Sequence, residues 1–143
     1  MIHIEETRDI NRPIDEVFAY VADFSTVSHW DPGVVAASRL EDGEIGVGST
    51  FAVTVTFGGR ELPLVYEITR YEPSSLVVLE TTSSRFDGVD TIHFEPIDEA
   101  ATRVTYEADF VFKGFMRLIG PLLTTTFTRI GAKAMDGLKA TLG

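Results

Sequence analysis

There is no cysteine among the 143 residues. That absence excludes disulfides, Cys-ligated zinc, iron–sulfur ligation and thiol nucleophiles, and it is compatible with a reducing compartment. Cations are scarce: 12 Lys and Arg stand against 22 Asp and Glu, a formal charge of -10. Such a balance repels phosphate backbones and anionic membrane surfaces unless the basic residues cluster. Here they are scattered, so no nucleic-acid partner is expected. No apolar run approaches the ~18 residues of a membrane span. Met1 to Thr7 carry His and Glu where a signal peptide would carry a basic segment and then an apolar one. A soluble, cytoplasmic protein with no integral membrane segment is the expectation. The length suits one domain over residues 1–143, able to bury roughly 70% of the surface its unfolded form exposes.

What is present is a change of period along the chain. Ile2, Ile4 and Ile10 share one parity, which predicts a strand over residues 1–11 with one buried face. Pro13 ends it, and Ile14, Val17, Phe18 and Val21 then fall at helical spacing behind Asp15 and Glu16. A second short helix is expected from Asp23 or Ser25 to His29, before Trp30-Asp31-Pro32-Gly33 breaks the pattern. From Val34 onward the period is two. Strands are predicted over 34–40, 51–57, 62–68, 76–82, 91–96 and 102–112, separated by glycine, proline and aspartate turns such as Gly58-Gly59 and Asp87-Gly88. The last 30 residues return to helical spacing, with Ile119, Leu123, Phe127, Ile130, Ala134 and Leu138 on one stripe. An interior proline costs ~3 kcal/mol in an ordinary helix, so Gly120-Pro121 predicts a kink, a separate turn, or the first residue of the main helix. In each case residues 115–119 can be angled as a lid over a cavity mouth.

Residues with chemistry are few. His3, His29 and His93 have no second ligand at recognisable spacing, and no metal site is expected. His93 has the parity opposite Ile92 and Phe94 and should face solvent. The glycines at 43, 46, 48, 58 and 59 have no following helix and no Gly-Lys-Ser/Thr, so they are turn residues and bind no phosphate. No Gly-x-Ser-x-Gly elbow supports nucleophilic hydrolysis. Tyr66 and Tyr106 are the best inward polar candidates, each equally suited to core packing. Arg39, Arg70, Arg85, Glu80 and Asp90 suit the pocket or the convex face, and the cost of burying an unpaired charge favours solvent for most of them.

The element order, with Ile10-x-x-Pro13-x-x-x-Val17-Phe18, Asp23, Trp30-x-Pro32, Gly46-Val47-Gly48-Ser49 and the late pair Leu138-Lys139, resembles the SRPBCC superfamily. This is the START-like, helix-grip group that includes polyketide cyclase/dehydrase-like proteins and birch-pollen-allergen-like carriers. The resemblance covers nearly the whole chain. It implies an α+β helix-grip fold: a curved seven-stranded antiparallel sheet, two short helices after the first strand, and a long C-terminal helix held across a deep pocket. It also makes Trp30 a core anchor where the short helices meet the sheet. Strand parity agrees with it. The expected ligand-binding residues are Trp30, Phe51, Val53, Val55, Tyr66, Ile68, Ile92, Phe94, Tyr106 and Phe110, with Leu122, Leu123, Thr126, Phe127 and Ile130 from the helix. The cavity itself is expected near the Pro121 end. No catalytic residue, cofactor or metal is assigned. The expected activity is binding or transport of a small hydrophobic ligand, lipid-, polyketide- or isoprenoid-like. The alternatives are a cyclase/dehydratase-type enzyme using the same pocket and a protein-interaction module.

Overall fold

The computed structural model describes Met1 to Gly143. Strand β1 (Ile2–Ile10) leads into α1 (Ile14–Ala22), a 3-10 turn over Phe24–Thr26, and α2 (Val27–Trp30). Six strands follow: β2 (Val34–Arg39), β3 (Thr50–Phe57), β4 (Arg60–Glu72), β5 (Leu76–Thr82), β6 (Phe86–Asp98) and β7 (Ala101–Phe112). The chain closes with α3 (Met116–Ile119), a 3-10 turn over Gly120–Leu123, and α4 (Thr124–Leu142). All pairings are antiparallel and the spatial order is β1-β7-β6-β5-β4-β3-β2. The first two strands in sequence are thus the two edges of the sheet. Register shifts at Val34/Ala36, Ile68/Arg70 and Pro96/Asp98 bend it, since an extra residue on one strand kinks that strand and increases its twist.

The C-terminal stripe is helical but not one helix. Proline has no N–H to donate, and Pro121 stands at the start of the 3-10 turn, where that loss costs little. The outcome is a separate turn before the main helix. α4 then crosses the concave face against β1 and α2. Two glycines set how closely it lies. A Cβ at Gly131 would stand 2.8 Å from Ile4 Cγ2, and one at Gly137 would stand 1.8 Å from the Trp30 carbonyl oxygen. Only hydrogen fits there.

At one end of the concave face α1 fills the space. Val17, Phe18, Val21 and Ala22 are buried, and the Phe18 ring meets Phe94 edge-on at 5.0 Å and Tyr71 at 5.3 Å between centroids. Edge-to-face pairs of this kind add roughly 0.5–1.5 kcal/mol beyond the area they bury.

Candidate ligand cavity

Toward the other end of the same strands the concave face is not filled. A cavity of about 410 Å³ lies between the sheet, the α2 segment and α4. Its floor is Val53, Leu64, Tyr66, Asp90, Tyr106 and Ala108. One wall is a group of phenylalanines, in which Phe110 stands 4.9 Å from Phe127, Phe57 5.8 Å from Phe127 and Phe86 5.7 Å from Phe110. The opposite wall is Phe24, Val27 and Trp30, with Phe24 5.2 Å from Tyr66 and 6.5 Å from Trp30. The lining residues that reach solvent are Pro32, Thr56, Ile130 and Lys133, so the mouth opens between the loop after α2, strand β3 and the middle of α4.

Alternation along β6 carries one carboxyl into this apolar space. Phe86, Gly88, Asp90, Ile92 and Phe94 are all buried, and Asp90 lies between Leu79 of β5 and Ala108 of β7. Asp90 is 3% exposed, and its Oδ1 has no hydrogen-bond partner in the protein. Burial pushes its pKa up from 3.8 to about 7, because the charged form loses water. A hydrogen bond from the Tyr106 hydroxyl opposes that rise, while the charges of Asp31 and Asp109 add to it. At the rim, burial likewise raises Asp31 to about 6, although the Gly33 N–H donates to its Oδ1 at 2.8 Å. Burial, and next the nearby Asp90, push both Tyr66 and Tyr106 above the ordinary phenol value, so both are neutral donors. The cavity is therefore an apolar chamber with a polar patch on its floor and two carboxyls that titrate near neutrality.

Of the residues expected from parity, Trp30, Val53, Val55, Tyr66, Tyr106, Phe110, Phe127 and Ile130 line the cavity. The others do not. Phe51, Ile68, Ile92 and Phe94 are buried in the core at the filled end. Leu122 is 81% exposed and Thr126 also faces solvent, while Leu123 packs half-buried on the core. The turn at Pro121 ends before α4 and rotates residues 115–122 away from the chamber, and Thr126 falls on the solvent side of α4, next to the buried Phe127. No residue of that segment lines the cavity, so the expected lid and the expected location near Pro121 are corrected to a mouth beside the middle of α4. Asp90, Asp31, Phe24, Phe57 and Phe86 also line it. Asp90 was legible: it keeps the two-residue step of Ile92 and Phe94.

Trp30 is 3% exposed and its indole N–H donates to the Thr26 hydroxyl at 3.3 Å, so it both anchors the short helices and forms a wall. His29 is exposed and outside the cavity. On the convex face, His93 Nε2 lies 2.8 Å from Glu107 and His3 Nδ1 lies 2.6 Å from Asp109. Candidate ligand atoms of His3, Glu5 and Glu107 fall within 4.8 Å of one another. Spacing along the chain hides this group, because its members come together across the β1–β7 pairing. It is solvent-facing, and its His3 and Glu107 are hydrogen-bonded outside the group, to Asp109 and His93.

A half-barrel sheet gripping a C-terminal helix over an internal chamber defines a START-like protein of the helix-grip class. Residues 1–143 match the family described as "Polyketide cyclase / dehydrase and lipid transport", and the chain belongs to that family. Among solved structures it is similar to a Thermus thermophilus protein (TM-score 0.81, 15% identity, 98% of this chain and 96% of the other). It is also similar to the Zhui aromatase/cyclase of a Streptomyces species (TM-score 0.80, 16% identity, 98% and 92%). A START superfamily protein of Mycobacterium smegmatis aligns at TM-score 0.78 with 14% identity, over 99% of each chain. At these identities the likeness concerns the fold. No curated protein matches by sequence. No helix is long and apolar enough to cross a membrane.

Proposed function

We propose that the protein binds one small, largely apolar molecule in the chamber, its polar end toward Asp90, Tyr66 and Tyr106. The observation that carries this reading is the chamber itself. About 410 Å³ is left open between the sheet and the helices, and apolar walls surround one compact polar patch. Removing ligand surface from water drives binding at about 25 cal/mol per Å², and the floor supplies orientation. Trp30 is the chain's one tryptophan and is part of the wall, so its fluorescence reports occupancy. Titration with 1-adamantanemethanol, a compact and optically silent probe, should change Trp30 emission saturably. Ala108→Phe, which fills the floor, should remove that response while circular dichroism stays native. An unaltered response in the folded variant would refute this location.

A second reading is proton-transfer catalysis of the cyclase/dehydratase type, favoured by one observation: the Asp90 carboxyl is buried, has one oxygen without a partner and lies near pKa 7. Groups so tuned suit general acid–base work at neutral pH. The family description and the Streptomyces aromatase/cyclase support it at the level of the fold. Under this reading the protein accelerates loss of water from an apolar β-hydroxyketone, followed by mass spectrometry. Asp90→Asn lowers that rate at least about a hundredfold while the ketone still binds.

A further inference from the structure

The polar patch has a sign. Its ionisable members inside the chamber are two carboxyls, Asp90 on the floor and Asp31 at the rim, joined by the two phenols of Tyr66 and Tyr106. Lys133, the one cationic lining residue, stands exposed at the mouth on α4. Asp90 borders the chamber, and its Oδ1 is a buried acceptor left without a donor by the protein. A buried acceptor without a donor is costly, and a ligand that brings an N–H removes that cost on binding. An anionic head group there would meet carboxyls and no cation, so burying it would be doubly unfavourable. A carboxylate reversed to face Lys133 would cover Asp90 with its apolar tail, leaving the acceptor as orphaned as before.

We propose that the chamber selects apolar molecules whose polar end is a hydrogen-bond donor, protonated amines above all, and discriminates against carboxylic acids of the same shape. This rests on the chamber being a binding site and adds the class of its ligand. Asp90 supplies the charge, the tyrosine hydroxyls sit beside it, and Asp31 lies on the route in. The protein's net charge of -10 acts in the same direction at longer range.

The test uses three adamantane probes that differ at one end: 1-adamantanemethylamine, 1-adamantanemethanol and 1-adamantaneacetate, each titrated at pH 8 against Trp30 emission and by calorimetry. The amine should bind at least about tenfold tighter than the alcohol, as expected for one charge-assisted hydrogen bond, and the acetate weaker than the alcohol. In Asp90→Asn the ratio of amine to alcohol affinity should fall toward one. A second measurement needs no variant. At pH 5.5, below the values of about 7 and about 6 for Asp90 and Asp31, the ratio should shrink in the unmodified protein. The groups that act on Asp90 in that titration are Tyr66 of β4, Tyr106 of β7 and Asp31 from the chamber and the charge of Asp109 from the convex side of β7, with Leu79 beside it on β5 and Lys133 beyond on α4. Equal binding of amine and acid while the alcohol binds overturns the charge selectivity and leaves the chamber reading intact. An amine preference that survives both Asp90→Asn and pH 5.5 overturns the role of Asp90. No response to any of the three overturns the chamber reading and this inference with it.

Discussion

The two ends of the concave face are built from the same strands with the same alternation, and they differ in what covers them. On β6, Phe94 meets α1 and Ile92 is in the core, while Phe86 and Asp90 border open space. On β7, Val104 is in the core, while Tyr106 and Phe110 face the chamber. On β3 and β4 the division falls between Phe51 and Val53 and between Ile68 and Tyr66. Inward parity is thus necessary for lining a site and insufficient for it. The covering element decides, and α1 covers one end only.

The comparison breaks most visibly if the filled end is emptied. Phe18→Ala removes a ring packed between Phe94 and Tyr71 and should cost about 3–5 kcal/mol in urea unfolding, whereas Phe110→Ala, whose ring already borders a void, should cost less than half of that. Equal losses would mean that the two ends are packed alike. Asp90→Asn should stabilise the protein at pH 8 by a few kcal/mol. Because the folded state holds this proton up to about pH 7 and the unfolded chain releases it near 3.8, wild-type stability from this group falls as pH rises between those values. The gain from asparagine should therefore be full above pH 7 and absent below about pH 4; a pH-independent difference in melting temperature would contradict the burial of the charge. Gly137→Ala drives a methyl into the Trp30 carbonyl and should cost about 1–3 kcal/mol, with a shift in Trp30 emission as α2 is displaced. The smallest effect belongs to Leu122→Ser. It should move stability by less than about 0.5 kcal/mol and leave probe affinity unchanged, since this side chain is exposed and outside the chamber. A loss of affinity there would restore the lid that the stripe alone suggested.

Much of the architecture is legible in the sequence because alternation and turn residues act locally. Strand existence, the short helices and the order of elements follow from Ile2 to Ile10, from Pro13, and from the glycine-marked turns. Boundaries are less legible: β6 extends from Phe86, well before Thr91, because its register with β7 continues to Phe112. The polar floor was partly legible, since the parity of Asp90 places it inward while the general cost of buried charge argues for solvent. The particular environment raised its pKa to resolve that conflict. The break at Pro121 was legible, but the direction in which residues 115–122 leave it was not, because a helical wheel carries no information across a turn. How close α4 lies to Ile4 and Trp30 was also hidden, because it is set by two glycines that carry no hydrophobic signal.

The edge position of β1 also bears on how the molecule comes into being. Ile2 lies opposite Phe110 and Ile10 opposite Thr102, so the first strand made by the ribosome has no partner until nearly all the others have been synthesised. Until then Ile2, Ile4 and Ile10 are exposed on an unpaired edge, and the later hairpins from β2 to β7 can form without them. Closure of the ladder at β1 and docking of α4 across it are the contacts of greatest sequence separation, and such contacts form slowly because a long loop must first be ordered. Emergence of β7 and α4, and not of β1, is therefore the event that commits these elements to their fold, and the interval before it is when a chaperone or a neighbouring nascent strand would find them most receptive.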